Sequence, residues 1–423
     1  MSGGRTMRIG LVGVGMFGGD VHLRTYADLV RNGIAPYLGR LAMDEHARSF
    51  AGIRFELRAV AARSEESAQR AADTFHAWTG NRPDSFFGDT PWETMLDAFP
   101  DLDILAVATP DHLHAPPALH ALNRGVHVIL EKPMTLRMSE ADEILNAARS
   151  NGRIVGMDMH KRYDPDHLRI FSALTEQIGQ PLFGRAVLEE PLEVSTKTFK
   201  WAAQSDPFSY VGVHWTDLFI HYWRVKPRSV FAVGQKVKLI GEYNIDAYDA
   251  VQVSVLFDNG AHVQFNNHWI LPPDFEGPVN QESEILGSRG KIESDSQYRG
   301  LRYFIEGEGT RTANTHMTRQ IQRADGSETT VGYGKDSLIA CAAAVARHRF
   351  NGETIRSLKG TYSDGEDGRL SVAVVEAARE TRDLNFRHFK DGRGTPATAL
   401  LNEEGILIYD PIGGNRRVYG GKI

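Results

Sequence analysis

The sequence is poorest in cysteine: of 423 residues only Cys341 carries a thiol, so no intrachain disulfide can form. It lies in the alanine-rich run CAAAVARH, which points to a buried structural thiol and away from a nucleophile. No apolar run reaches the roughly 18 residues a membrane-spanning helix requires. Basic residues are not in excess: 48 Lys and Arg against 54 Asp and Glu give a formal net charge of -6, which implies no nucleic-acid partner. The opening MSGGRTMRIG passes into a strand pattern without a signal-like hydrophobic stretch. These absences predict a soluble, cytoplasmic protein with no membrane or nucleic-acid partner. Internal repeats and low-complexity segments are missing too, and the length suits two domains.

The chain is organised around Val126–Met134, VHVILEKPM. Its apolar start reads as a buried strand that Pro133 ends, and Glu131 and Lys132 stand at the strand mouth, where a charged pair needs a partner or a task. Upstream, MRIGLVGV (7–14) is a strand running into Gly13, Gly15 and Gly18 in the spacing G-x-G-x-x-G. Such glycines permit a tight turn, backbone approach to a pyrophosphate, and close packing of the next helix, expected at Gly19–Arg31. Residues 32–52 read as an insertion, which places the second strand at Phe55–Ala61. At its end, where an acid would hold ribose hydroxyls, stand Ala62, Arg63 and Ser64. A guanidinium and a hydroxyl without a carboxylate suit a 2′-phosphate and favour NADP, with NAD possible; the plainer reading is a solvated loop arginine.

Helical spacing over 64–79, a short strand at 86–89 and a helix over 90–99 capped by Thr90 with Pro91 at its first position come next. The strand 102–108 ends in Thr109 and Pro110, and a helix to Arg124 stops at Gly125. A helix capped by Ser139 and a last strand at 153–157 complete the first domain, 1–157. This alternation predicts an α/β doubly wound parallel sheet that binds ligands at strand carboxyl ends, where Gly13, Thr109 and Lys132 sit. In the second domain, 158–423, consecutive strands at 183–190, 229–237, 249–257 and 261–269 predict a large antiparallel or mixed sheet. One face should pack on helices; the other could line a substrate cleft or meet another subunit, so a homo-oligomer is expected. A proline-rich loop is read at 272–280, a strand pair in SEILGSRGKIESDS, an excursion at 300–334, helices at 336–350 and 365–381, and a tail after Lys390 that is either an arm or a surface strand.

GVGMFG, ATPDHLHAPPALHALNRGVHVILEKPM, VGMDMHKRYDP and GVHWTDLFIHYW resemble, in order and register over about residues 7–390, the Gfo/Idh/MocA family of glucose-fructose oxidoreductase and inositol dehydrogenase-like enzymes. The resemblance implies an N-terminal Rossmann domain and a C-terminal α+β domain with a large open, mostly antiparallel sheet, assembled as a homodimer or homotetramer. It implies an NAD(P)-dependent oxidoreductase that interconverts a secondary hydroxyl and a ketone on a sugar, sugar nucleotide or cyclitol. Cofactor contacts would come from Gly13, Gly15, Met16, Phe17, Gly18, Arg63, Ser64, Thr109, Pro110, His114, Glu131 and Lys132. Lys132 and His214 would be the catalytic pair over the nicotinamide, and Arg162, Tyr210, Asp217 and His214 would touch substrate. The chemistry needs one base and one stabiliser of the developing alkoxide, and an imidazole and an ammonium can fill these roles in either order.

One departure stands out. The family's D-x-G-x-H becomes Tyr210-Val211-Gly212-Val213-His214, which removes an acceptor and a partner for the imidazole. Tyr210 could act as donor or relay, or merely pack. Asp217 and His221 follow on the same helical face; His221 reads as a core histidine, and although the spacing permits a metal site, none is expected. Two other readings are a redox-neutral glycoside-cleaving enzyme with a tightly held cofactor and a non-catalytic sugar-sensing regulator.

Overall fold

The computed structural model describes residues 5–275, 279–295, 301–305, 309–313, 316–322 and 328–423. The chain forms two compact units, Met1–Thr135 with Glu140–Asp164 and Met317–Gly368, and Leu136–Ser139 with Pro165–His316 and Arg369–Ile423. The expected boundary at 157/158 marks the end of a strand, but the first unit also takes in 317–368.

In the first unit, six strands form one sheet: β1 (Thr6–Val12), β2 (Arg54–Ala62), β3 (Asp84–Phe87), β4 (Ile104–Val107), β5 (His127–Leu130) and β6 (Val155–Met157). They are ordered β3-β2-β1-β4-β5-β6, and every pair is parallel. β4 and β5 are buried at every residue, as strands covered on both faces must be, which is why they read as continuous apolar runs. Strand order reverses between β1 and β4, and sheets of this kind bind ligands at the carboxyl ends of the strands flanking the reversal. The expected insertion is a chain of short helical turns at Ala35–Tyr37, Gly39–Leu41, Asp44–His46 and Ala47–Phe50.

The helix Tyr333–Asn351 also belongs to this unit, and its residues from Tyr333 to Arg347 are all buried. Its small side chains allow close approach: a methyl group on Gly156 of β6 would stand 2.7 Å from Cys341 Sγ. Cys341 is fully buried, and burial pushes its thiol well up, in keeping with a structural role.

The second unit holds a nine-stranded sheet. Its strands are β7 (Pro181–Pro191), β8 (Pro227–Gln235), β9 (Ala250–Phe257), β10 (His262–Leu271), β11 (Asn280–Gly287), β12 (Gly290–Asp295), β13 (Thr398–Asn402), β14 (Gly405–Tyr409) and β15 (Arg416–Tyr419). The order is β12-β11-β7-β10-β9-β8-β13-β14-β15, with β10 parallel to β7 and the other pairs antiparallel. Burial alternates along β9 and β10, so one face carries Val251, Val253, Val255, Val263 and Phe265 inward. The tail after Lys390, read as an arm or a surface strand, extends the sheet by three strands beside β8. The helix expected from Ser139 begins at Met138, whose N–H donates to Glu376 Oε2 at 2.8 Å, so a carboxylate of a distant helix takes the capping role. Two small hairpins, Leu301–Ile305 with Gly309–Ala313 and Arg319–Gln322 with Glu328–Val331, lie in the expected excursion. Residues 300, 306–308, 314–315 and 323–327 of that excursion, 276–278 of the proline-rich loop and the last serine of the strand pair fall outside the described residues.

Candidate active site

The glycine turn follows β1. Gly13 has φ +91°, and a Cβ there would lie 2.3 Å from the carbonyl oxygen of Ala108, at the end of β4. A Cβ on Gly18 would lie 2.1 Å from the Gly13 carbonyl oxygen, so the following helix packs directly on the turn. Gly15 is exposed and would meet nothing within 4 Å. Two glycines are therefore needed for packing and the third leaves open backbone, which fits the close approach of a dinucleotide pyrophosphate. Met16 is exposed and Phe17 half-buried beside it, the latter stacked on His160 with ring centroids 5.2 Å apart.

At the end of β2, Arg63 is exposed. Ser64 caps the helix Glu65–Thr79, its Oγ accepting from Ser67 N at 3.3 Å, a role the sequence pattern did not single out. After β4, Thr109 Oγ1 donates to the carbonyl of Leu113 at 3.2 Å, and Pro110 leads into the short turn Asp111–Leu113. His114 is buried, Nδ1 at 2.7 Å from the Pro133 carbonyl oxygen and Nε2 at 2.9 Å from that of Thr109. The ring thus ties the loop after β4 to the loop after β5. Burial lowers its pKa, and the neutral ring can donate to one of the two carbonyls only.

Lys132 sits buried at the mouth of β5, its peptide bond to Pro133 cis. Glu131 turns inward: Oε1 is 2.7 Å from His22 Nε2, and Oε2 accepts from the Lys132 backbone N–H at 3.3 Å. His22 was not singled out from the sequence; the available signal was its place four residues past Gly18. His160, Lys161 and Arg162 form a buried turn and do not face water. Arg162 Nη1 donates to Asp367 Oδ2 at 2.9 Å.

In the second unit, His214 and Asp217 are buried on the helix Val213–Trp223, and Tyr210 lies four residues before His214 in the preceding wide turn Phe208–Gly212. His221 is exposed near the end of that helix, contrary to its reading as a core histidine, because the last turn passes beyond the packed face. Asp206 anchors the start of the segment. It accepts from Ser209 N at 2.9 Å and Ser209 Oγ at 2.6 Å, and pairs with Arg379 at 2.9 Å and Arg382 at 2.6 Å. Burial works to raise its pKa, but the two guanidiniums outweigh burial and hold it below the usual carboxylate range. Tyr210 packs edge-on to Phe199 at 4.7 Å, and Phe199 stacks on Trp201 at 4.4 Å.

Comparison with known proteins bears on the family and the fold. Residues 7–159 match the oxidoreductase family with an NAD-binding Rossmann fold, and residues 174–293 match the GFO/IDH/MocA C-terminal domain. The chain is 34% identical over 336 residues to dTDP-3,4-didehydro-2,6-dideoxy-alpha-D-glucose 3-reductase of Streptomyces violaceoruber, covering 77% of this chain and 87% of that one. It is 28% identical over 172 residues to 1,5-anhydro-D-fructose reductase of Ensifer adhaerens, covering 40% of this chain and 51% of the relative. Several curated relatives are matched over only 40% to 56% of their length. The crystal structure of GenD2 from gentamicin A biosynthesis in complex with NAD superposes with a TM-score of 0.64 at 19% identity, covering 94% of this chain and 97% of the other. The motifs, the two folds and the long match to the Streptomyces reductase together place this chain in the Gfo/Idh/MocA oxidoreductase family, on an NAD-binding Rossmann fold.

Proposed function

We propose that the protein is a dehydrogenase or reductase that interconverts a secondary hydroxyl and a ketone on a sugar, sugar nucleotide or cyclitol, using NADP in preference to NAD. The observation that carries this reading is the burial of Lys132 at the mouth of β5, in the same parallel sheet as a glycine turn with open backbone at Gly15. Two relatives are named as sugar reductases and another as 2,7-anhydro-N-acetylneuraminate hydratase, which supports a carbohydrate substrate.

A bound nicotinamide supplies or accepts the hydride. The chain's part is to manage charge and proton at the substrate oxygen: Lys132 supplies the positive charge that stabilises a developing alkoxide, and His214 gives or takes the proton. Arg162, Asp217 and Tyr210 are assigned to substrate hydroxyls, and Arg63 to the 2′-phosphate of NADP. The half-open outer face of the nine-stranded sheet, with Leu256 and Leu286 exposed, is assigned to contact with a second copy in a homodimer or homotetramer. The test is a Lys132→Ala variant titrated with NADP and NAD and assayed on a panel of sugars and cyclitols. Retained cofactor binding with loss of turnover supports the reading; turnover surviving the substitution overturns it.

A further inference from the structure

Behind Lys132 lies a group of ionisable side chains that the reading above leaves without a task. His22, Glu131 and Asp158 bring polar atoms within 4.8 Å of one another, and all three are buried. Asp158 is 0% exposed, and neither of its carboxylate oxygens has a hydrogen-bond partner among the described residues. His160 Nδ1 stands 3.8 Å from Asp158 Oδ2, within ion-pair range but too long for a hydrogen bond. Two ionised carboxylates confined in such a space are costly, so a proton or a cation must offset one of the charges.

The surroundings decide between them. His22, held by burial at a pKa of about 4, is neutral, and burial lowers His114 and His160 as well. The Tyr26 hydroxyl and the Cys341 thiol are pushed up by burial and stay protonated. Among the described residues, the cations near the group are Lys132 and Lys161, with Arg162 paired to Asp367. A divalent ion would have to break the 2.7 Å His22–Glu131 hydrogen bond and add two positive charges next to Lys132. A single proton does neither.

We propose that Glu131 and Asp158 together hold one proton at neutral pH, so that the pair sets a single negative charge against Lys132 and acts as a positioning device for that lysine. Burial and the neighbouring Asp158 push Glu131 well above the usual carboxylate range, which places the proton on its side of the pair. Burial works to raise Asp158 too, but its neighbours His160, Glu131 and His22 outweigh it and the net direction is down.

Infrared spectroscopy of the full chain at neutral pH, in water and in heavy water, tests where the proton resides. The expected result is a carboxylic-acid C=O band that shifts in heavy water and is lost in Glu131→Gln. Asp336 and Asp364, also pushed up by burial, can give similar bands, so the loss in that variant is the deciding readout. Absence of the band, or its survival in Glu131→Gln, overturns the proposal. So does one equivalent of Mn2+ or Zn2+ that stays bound through gel filtration in the wild type and not in Asp158→Asn.

The effect on Lys132 rests on the catalytic role proposed above and is read separately. In the Glu131→Gln/Asp158→Asn double variant, which removes the pair's charge whichever side carries it, the basic limb of the kcat/KM profile moves down by about one pH unit, with kcat affected more than KM. An unshifted limb overturns the positioning role. A protein without sugar oxidoreductase activity would sink the earlier reading and leave the infrared result standing.

Discussion

Gly13 and Ala108 approach so closely that a methyl group on the glycine would stand 2.3 Å from the alanine's carbonyl oxygen. This approach, between the turn after β1 and the end of β4, is compounded by a backbone φ of +91° that side chains rarely adopt. Gly15 has neither constraint. Gly13→Ala is therefore expected to lower the melting temperature and to weaken cofactor binding at least about tenfold, through a clash and a strained turn. Gly15→Ala should melt as the wild type does and still lose affinity, because only the approach of the pyrophosphate is obstructed. Equal melting losses in the two variants would contradict this division of labour.

Two buried histidines contribute to the acid side of the stability curve. His22 is lowered by burial to about 4 and His127, by burial and then the charge of Arg153, to about 3. His127 Nδ1 also accepts the Ile154 N–H at 2.9 Å, which an imidazolium could not do. Both values lie below the 6.5 of the unfolded chain, so between those limits the unfolded state binds more protons. Their contribution is complete above about pH 6.5 and is lost as pH falls toward 4, at about 1.4 kcal/mol per unit for each histidine. Urea midpoints measured from neutral pH downward should fall steadily, and less steeply in His127→Gln. A midpoint constant between pH 7 and about 5 would contradict the assignment.

What the sequence made legible was local. β1, β4 and β5 are largely apolar runs closed by glycine, threonine or proline, and the motifs that carry Gly13, Gly15, Gly18 and Lys132 are contiguous stretches. What it hid was pairing across distance. His22 meets Glu131 from 109 positions away, Arg162 meets Asp367 from 205, and nothing near either residue announces the partner. The tail strands were missed for the same reason: β13 pairs with β8 at Ala399 and Val230, and a short apolar run cannot say which edge it will join. The helix Tyr333–Asn351 was read from its pattern, but its membership of the first unit depends on small residues such as Cys341 meeting Gly156.

Asp206 holds the segment that presents Tyr210 and His214. The carboxylate is buried and neutralises Arg382, itself nearly inaccessible, while also accepting two hydrogen bonds from Ser209. Asp206→Ala would leave a buried guanidinium without this counter-charge, and a loss of about 3–5 kcal/mol is expected from chemical denaturation. A double-mutant cycle with Arg382→Met should recover part of that loss, since the uncompensated charge goes too. Additive single effects would show that the pair does not act as a unit.

Tyr210 offers two separable groups, a ring and a hydroxyl. The ring is fixed by its edge-on packing against Phe199 at 4.7 Å and by Trp201 at 6.0 Å, and such aromatic pairs contribute about 0.5–1.5 kcal/mol beyond the area they bury. Removing the ring in Tyr210→Ala should therefore lower the melting temperature, whatever the hydroxyl does. Tyr210→Phe keeps the ring and deletes the oxygen, so it should lower the melting temperature less than Tyr210→Ala does. If the hydroxyl serves the substrate oxygen near His214, kcat/KM on the preferred sugar falls by about tenfold or more, because a buried polar group of the substrate is then deprived of its hydrogen bond. A kcat/KM within about twofold of wild type would leave Tyr210 a packing residue and remove it from the substrate-binding set. Tyr210→Asp separates the remaining possibility. A carboxylate set against Phe199 and Trp201 forgoes their packing and places a charge beside two apolar rings, so it should cost stability without restoring activity on inositols.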